Sequence, residues 1–235
     1  MRTTWDYAER RAEFLAWAAG LPDVLNPRSV LEWSTDKQRY LTDLAQAGVP
    51  VVATRFLEPG APFEPPTKPF VVKPSVSAGG RSSARFDGGD EAAGMLVRQI
   101  HGEGRVAMVQ PFLADSDEVG LVFVGGRYSH AVRRRVPLPT RAPRPGLYLD
   151  EQLGPAQPSS GELEVAERAV ALAPGDVLYG RVDLLGGAVL ELELAEPSLY
   201  LAFGEGSAER FAAAIAAALS QRRLISAEKG PTTSQ

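Results

Sequence analysis

Residues 179–197, YGRVDLLGGAVLELELAEP, alternate strictly between apolar and polar side chains on both sides of Gly186 and Gly187. A period of two is typical of β-strands, and two such runs separated by glycines predict a hairpin. A two-residue turn at the glycines would place Asp183 on the face of the leucines that follow. A three-residue loop, 186–188, pairs Leu184 with Leu190 instead. We expect the three-residue loop, because only that register buries the leucines together.

In that register three carboxylates share one face of the hairpin, with Asp183 opposite Glu191 and with Glu193 opposite Arg181. Like charges that lie directly opposite each other destabilise a sheet. Mg²⁺ would offset the repulsion, since it binds carboxylate oxygens and usually retains phosphates and waters as its other ligands. The residues alone leave a second interpretation open, which is a solvated outer face on which Arg181 neutralises one acid.

Length and composition limit the class of protein. A chain of 235 residues forms one large domain or two small ones, and 44% apolar residues is ordinary for a globular core. The net charge of −4 gives no indication of a nucleic-acid partner. The absence of cysteine excludes a disulfide framework and a thiolate metal site. No run is long enough for a membrane span and the N-terminus is too charged for a secretory signal, so we expect a cytoplasmic protein.

The first part of the chain is predicted to be helical over 6–19, and again from Thr35, whose spacing to Gln38 fits a capping box. A short strand is predicted over 49–57. Lys37 lies in the first turn of the second helix, where the macrodipole disfavours a cation. A solvated surface lysine is the ordinary interpretation of such a position, and a ligand contact is the other.

A lysine and a glycine-containing loop follow. The predicted strand 70–74 ends with Lys73 at the loop SVSAGGRSS, residues 75–83, and 84–86 is its predicted partner strand. Small residues let backbone N–H groups approach a phosphate, and a lysine adds a point charge. The spacing is neither that of a P-loop nor that of a dinucleotide motif. Taken alone, the loop also fits an ordinary flexible turn.

The second half predicts further elements, which are listed here: a helix from Asp90 to about 100, strands over 106–111 and 118–124, a return strand over 127–132, a helix from Ser159, and a terminal helix over 207–221. Three arginines, 133–135, end the return strand and cannot all face one way, so two could reach a shared ligand or all could serve solubility. Residues 136–158 are Pro-rich and predicted to be irregular, which at this length is typical of a lid or a disordered segment.

In this order the parts resemble the ATP-grasp fold. The resemblance rests on the lysine-bearing strand with its loop and on four segments: VQPFL (109–113), EVGLVFVGG (118–126), RVDLLGG (181–187) and LELELAEPSLYL (190–201). The pattern is most similar to glutathione-synthetase-like carboxylate–amine ligases. The segments RTTWDY (2–7), STDKQRYL (34–41) and SHAVRR (129–134) look like the cyclo-ligases that close the cycloserine ring from O-ureidoserine.

The resemblance covers about residues 2–220 and implies an α+β fold in which two subdomains enclose the nucleotide. Residues 58–113 would form the small subdomain with the phosphate loop, 114–225 the C-terminal subdomain with the metal site, and 226–235 a tail. Residues 1–57 would be the remnant of a Rossmann-like N-terminal domain that helps to bind the carboxylate substrate. Because Met1 directly precedes RTTWDY, we expect a truncated or misassigned start.

The resemblance also implies a ligand set, with ATP and Mg²⁺, or Mn²⁺ in its place, as cofactors. The implied nucleotide contacts are Lys37, Lys73, Ser75, Gly79 and Gly80 at the phosphates, Gln110, Phe112 and Leu113 at adenine, and Glu118 at the ribose. The implied metal ligands are Asp183, Glu191 and Glu193. Arg181 would contact the transferred phosphate or the developing oxyanion, and Arg133 would lie near phosphate or carboxylate.

The implied reaction is formation of an acyl phosphate on a small amino-acid-like carboxylate, followed by attack of an amine, within one molecule in the cyclo-ligase branch. The expected partner is that small molecule, without nucleic acid or membrane, and a homodimer is left open. Two positions depart from the family pattern, since Glu193 stands where most members have Asn and Gly120 where they have Ser. The alternative is an ATP-binding protein that lacks a complete substrate site.

Overall fold

The computed structural model describes residues 6–21, 24–114, 117–135, 137–143 and 151–228. The helices are α1 (Tyr7–Ala19), α2 (Arg28–Ser34), α3 (Lys37–Gln46), α4 (Ala93–Gly102), α5 (Ser160–Ala171) and α6 (Ser207–Glu228), with a 3₁₀ turn at Leu201–Phe203. The strands are β1 (Arg55–Leu57), β2 (Phe70–Pro74), β3 (Ala84–Phe86), β4 (Ala107–Pro111), β5 (Glu118–Val124), β6 (Arg127–Arg135), β7 (Gln152–Ala156), β8 (Tyr179–Leu185) and β9 (Ala188–Glu193).

These strands form two antiparallel sheets, which confirms the predicted α+β class. The smaller sheet has the order β1-β4-β2-β3, and the larger has the order β7-β6-β5-β8-β9. Residues 50–57 connect the two sheets. Before the chain enters β1, the N–H of Val52 donates to Val189 of β9 at 2.9 Å and the carbonyl of Pro50 accepts from Val189 at 2.9 Å. The predicted strand over 49–57 is therefore two short pairings, one with each sheet.

Each sheet buries one face against helices. The smaller sheet packs on α4 through side chains such as Phe86 and Ile100, both without exposed surface. The larger sheet packs on α3 and α5, where Leu184 and Leu192 meet Leu44 in one continuous core. Full burial of side chains of this size contributes about 1.5–3 kcal/mol each. Since side chains alternate along β8, burying Val182 and Leu184 turns Arg181 and Asp183 to the opposite face, which is the face of the cavity described below.

Several predicted boundaries move by a few residues. The N-cap of α3 is Asp36 rather than Thr35, and its carboxylate accepts the N–H of Gln38 at 3.1 Å. The carboxylate of Asp90 accepts the N–H of Ala92 at 3.0 Å, but α4 begins only at Ala93. The capping box that begins α5 is present as predicted. Helix α2 was not predicted, because seven residues give too little periodicity.

The irregular segment predicted over 136–158 contains strand β7, which pairs with β6. Gly154 and Pro155 conceal this strand in the sequence, but proline is tolerated at a sheet edge, which is where β7 lies. In the rest of the predicted lid, 139–141 bond to Arg85 of β3, whereas 136 and 144–150 lie outside the described part of the chain. So do 2–5 of RTTWDY and 229–235 of the predicted tail.

None of the helices in the described ranges is both long enough and apolar enough to cross a lipid bilayer.

Candidate active site

The hairpin of β8 and β9 turns through Gly186 and Gly187 alone, so the predicted three-residue loop is wrong. Both glycines have positive φ, 59° and 78°, as a tight two-residue hairpin turn requires. Leu184 pairs with Val189, and then the register shifts by one residue. Leu190 is the extra residue of this β-bulge, and it lines the cavity instead of joining the buried leucines.

The bulge restores the pairing that the hairpin pattern predicted. Asp183 lies opposite Glu191 and Arg181 lies opposite Glu193. One oxygen from each of Asp183, Glu191 and Glu193 can be chosen so that all three atoms lie within 4.8 Å of one another. The three carboxylates therefore share one face, and their oxygens suit a hard divalent cation.

A cavity of about 820 Å³ lies between the two sheets over this face. Its volume is that of a small-molecule or cofactor site. The smaller sheet and its loop contribute Val71, Lys73, Ser77, Gly79, Gly80, Arg85, Gln110, Phe112 and Leu113, and the larger sheet contributes Glu118, Arg134, Arg181, Leu190, Glu191 and Glu193. Lys37, Glu151, Glu196 and Tyr200 also line the cavity.

Two guanidinium groups hold Asp183, which has no exposed surface. Arg181 binds it through two parallel bonds of 2.7 and 2.9 Å, and Arg134 donates to it at 2.6 Å. Burial alone would raise the pKa of Asp183, but the two arginines outweigh burial and hold that pKa at about 2. Asp183 is therefore an anion across the whole physiological range and fixes both arginines beneath the cavity.

Lys37 connects the acidic face to the phosphate loop. Its ammonium group lies 2.9 Å from Glu191 and donates to the carbonyl and hydroxyl oxygens of Ser77 at 3.0 and 3.2 Å. Burial raises the pKa of Glu191, but Lys37 and Lys73 outweigh it and lower that pKa overall. The unfavourable position of Lys37 at the start of α3 is thus explained by a buried ion pair.

Lys73 enters the cavity from β2, and burial lowers the pKa of its ammonium group. Gly79 and Gly80 line the same region and have φ values of 62° and 70°, which glycine adopts most readily. Ser75 does not line the cavity: its side chain is buried and its carbonyl oxygen accepts the N–H of Lys37 at 3.2 Å. The structure thus brings together four of the five residues predicted at the phosphates, leaving Ser75 with a supporting role.

The predicted adenine hinge also lines the cavity. Gln110 is buried and donates from its amide to the hydroxyl of Thr54 at 2.9 Å. The guanidinium of Arg85 lies 4.1 Å from the centre of the Phe112 ring. Leu113 is one of the few exposed large apolar side chains among the described residues, as an apolar wall of an open site would be.

The arginine run places a different residue in the site from the one expected. The side chain of Arg133 is 60% exposed, pairs with Asp117 and does not line the cavity. Arg134 is the buried member, and it pairs with Glu118, with Asp183 and with Glu151 at 2.8 Å. An unbroken two-residue hairpin of β5 and β6 would set Glu118 opposite Arg133, but a bulge shifts the register and sets it opposite Arg134.

Glu118 and Tyr200 surround the paired arginines. Burial, followed by repulsion from Asp183, raises the pKa of Glu118 to about 8, although Arg134 opposes the shift. The ring of Tyr200 lies 5.8 Å from the guanidinium of Arg134 and 5.4 Å from that of Arg181, and its hydroxyl donates to Glu151 at 2.6 Å. The sequence prediction missed Arg134, Glu151, Glu196 and Tyr200, although Glu196 and Tyr200 lie within the recognised segment 190–201.

Gly120 is required by this arrangement. A Cβ at this position would lie 2.9 Å from Oδ1 of Asp183 and 3.1 Å from Cδ of Arg181. A serine there would displace the ion pair, so the departure from the family pattern follows from the close packing of Asp183 on β5.

Comparison with known proteins supports a common family. Residues 1–28 match the family model described as the N-terminal domain of D-cycloserine synthetase DcsG. The cycloserine biosynthesis protein DcsG of Streptomyces lavendulae is 34% identical, over 92% of this chain and 81% of that protein.

Solved structures give the same relationship to DcsG at the level of the fold. The crystal structure of D-cycloserine synthetase DcsG superimposes with a TM-score of 0.77 at 31% identity, over 92% of this chain and 81% of that one. A D-alanine–D-alanine ligase from Bacillus anthracis shares the fold, with a TM-score of 0.62 at 15% identity, over 87% of this chain and 72% of that one. With its two-sheet fold and a relative of this similarity, the chain belongs to the family of DcsG, within the ATP-dependent ligases of the ATP-grasp fold.

Proposed function

We propose that this protein binds ATP with Mg²⁺, or with Mn²⁺, in the cavity between the sheets. It transfers the terminal phosphoryl group to the carboxylate of a small amino-acid-like substrate and joins the resulting acyl group to an amine. The observation that carries this proposal is the convergence of Lys37, Lys73 and Arg181 with Glu191 and Glu193 in one cavity, where the buried Asp183 lies close to both glutamates. The similarity to DcsG favours an amine within the same molecule, and hence closure of a ring.

The nucleotide lies across the cavity in this proposal. The hinge 110–113 and Leu190 would hold the adenine, and Glu118, whose carboxylate is oriented by Arg134, would hold the ribose. Lys73 and the backbone of Gly79 and Gly80 bind the phosphates, since ammonium and free N–H groups are suited to phosphate oxygens.

The metal would be held by Asp183, Glu191 and Glu193. Among the described residues, their carboxylate oxygens form a cluster that is compact enough to bind one metal ion. A divalent cation bound to these carboxylates would neutralise negative charge on the phosphates. In the structure Lys37 already occupies one oxygen of Glu191 and Arg181 one oxygen of Glu193. Lys37 and Arg181 therefore have a second role in this proposal, which is to neutralise the acidic face before a divalent cation binds.

The chemistry rests on positioning and on fixed positive charge. The substrate carboxylate oxygen attacks the terminal phosphorus and ADP leaves; the amine nitrogen then attacks the acyl carbon and phosphate leaves with the bridging oxygen. Arg181 is held by Asp183, Glu193 and the carbonyl of Ser198, so its guanidinium needs no reorganisation when charge develops. Arg134 takes the place that was expected for Arg133, and Tyr200 packs against both guanidinium groups.

Thermal unfolding and phosphate release test the proposal together. Mg-ATP should raise the melting temperature, because a ligand that binds only the folded state stabilises it by mass action. ATP without a divalent cation should raise it less. O-ureidoserine or another amino acid should then accelerate phosphate release from Mg-ATP. A melting temperature that does not respond to millimolar Mg-ATP would contradict the proposal.

A further inference from the structure

Five glutamates line the cavity, and one of them differs from the rest. Four have ion-pair partners in the structure: Glu118 and Glu151 pair with Arg134, Glu191 pairs with Lys37, and Glu193 pairs with Arg181. Glu196 also lines the cavity, but it has no hydrogen bond or salt bridge to any residue in the described ranges. Glu196 is thus an acidic group that lines the ligand space and is paired with no cation from the described part of the chain.

The segment that carries Glu196 is rigidly held. Four side chains bind its backbone carbonyls: Asn26 donates to Leu194 at 2.6 Å, Tyr179 to Ala195 at 3.1 Å, Arg181 to Ser198 at 2.9 Å and His130 to Leu199 at 2.8 Å. These bonds fix the chain on both sides of residue 196. The charges that act on the Glu196 carboxyl are those of Glu193, Arg181, Glu191 and Lys37, so this residue lies at the metal end of the cavity rather than at the adenine hinge.

Glu196 is not part of the candidate metal group, which comprises Asp183, Glu191 and Glu193. A partly buried carboxylate without a counter-ion is costly to maintain, since it has lost water and gained no partner. Burial, followed by repulsion from Glu193, raises the pKa of Glu196 to about 7. A cation contributed by the ligand would remove this cost. An ammonium group is suited to this role, because it carries a positive charge and can donate up to three hydrogen bonds.

We propose that Glu196 binds the ammonium group of the substrate amino acid and so selects amino acids over other carboxylic acids. The inference rests on the proposed function, because it requires the substrate carboxylate to lie beside Arg181. Glu196 and Arg181 then hold the two charged ends of one small molecule, which fixes the carboxylate for phosphoryl transfer.

The test compares ligands that differ only in the ammonium group. Phosphate release from Mg-ATP is measured with D- and L-amino acids and with O-ureidoserine. Each compound that accelerates release is then compared with the same acid carrying hydrogen or hydroxyl in place of the amino group. The wild type should prefer the amino acid in kcat/KM by roughly tenfold to hundredfold, the strength of one hydrogen-bonded charge pair.

Glu196→Gln should lose most of that preference, by raising the KM for the amino acid while the KM for ATP stays unchanged. Glu167→Gln removes the same charge from an exposed position on α5 and should keep the preference. An unchanged preference in Glu196→Gln would overturn the inference, and so would a wild type on which deaminated acids act equally well.

The failure of the inference is separable from failure of the proposed function. If amino acids accelerate phosphate release from Mg-ATP but Glu196→Gln keeps the wild-type preference for the amino group, the role of Glu196 is refuted and the proposed function stands. If no amino acid accelerates release, the proposed ligase activity fails and only the nucleotide site stands. If Mg-ATP itself does not stabilise the protein, the proposed function fails first.

Discussion

Asp183 lies directly opposite Glu191 only because Leu190 is an extra residue in β9. Without the bulge, the two-residue glycine turn would set Asp183 opposite Leu190 and turn Glu191 and Glu193 into the core. Bulges re-aim side chains in this way and are frequent next to active sites. Here one bulge puts three carboxylates on one face and an apolar side chain, that of Leu190, in the same cavity.

Glu191→Gln should abolish most of the Mg-ATP stabilisation, because it removes one of three candidate metal ligands. It should also lower the free energy of unfolding of the ligand-free protein by about 1–3 kcal/mol, since the buried Lys37 keeps only Ser77 as a partner. Relief of repulsion among the carboxylates would by itself predict the opposite sign. Denaturant unfolding with and without Mg-ATP measures both effects.

Glu167→Gln is the matched control for this change, and it should alter neither quantity. A Glu191→Gln protein that responds to Mg-ATP like the wild type would remove Glu191 from the metal site.

The adjacent arginines of β6 give a second prediction. Arg134→Met leaves three carboxylates without their shared cation and should lower the free energy of unfolding by about 3–5 kcal/mol. Arg133→Met is the matched control, and its exposed side chain should change stability by about 0.5 kcal/mol or less. Urea unfolding of the two variants in parallel measures both changes. Equal losses of unfolding free energy in the two variants would refute the assignment of Arg134 to the site.

Both bulges explain where sequence reasoning succeeded and where it failed. Alternation in β8 and β9 correctly predicted which acids share a face, because burial of the leucines imposes the register. Alternation could not predict where the extra residue lies. A three-residue loop and a two-residue turn followed by a bulge place the same number of residues between Asp183 and Glu191, so both give the same pairing. In β5 and β6 the same uncertainty of one residue exchanged Arg133 for Arg134.

Other site residues could be predicted only in part. Lys37 and Lys73 were indicated by local pattern, because Lys37 lies in the first turn of α3 and Lys73 lies near the end of β2. Glu151 and Tyr200 reach the site through long connections that no local period describes, and Tyr200 does so with a φ of +46°. Their mutual hydrogen bond depends on a separation of 49 residues, which single-sequence reasoning cannot resolve.

The third prediction concerns Glu196 in the absence of ligand. Its pKa of about 7 lies above the ordinary value of 4.5, chiefly because of burial and then because of Glu193. Between these two pH values the folded protein binds more protons at this group than the unfolded chain does. The free energy of unfolding is therefore not reduced by Glu196 below pH 4.5. It falls as the pH rises towards 7 and beyond, because the folded protein must then hold the ionised carboxylate.

Glu196→Gln should remove this pH-dependent loss of unfolding free energy, because glutamine does not ionise. Relative to wild type, the variant should gain about 1–2 kcal/mol of unfolding free energy between pH 5 and pH 8, a value reduced for the partial exposure of the side chain. The difference between the two proteins is measured by urea unfolding at each pH, so that titration of Glu118 and other shared groups cancels. A difference that does not change with pH would show that Glu196 is solvated and ionised in the free protein. The gain in stability and the loss of amino-acid preference should then occur in the same variant, because an unpaired carboxylate that binds a ligand cation destabilises the protein until the ligand arrives.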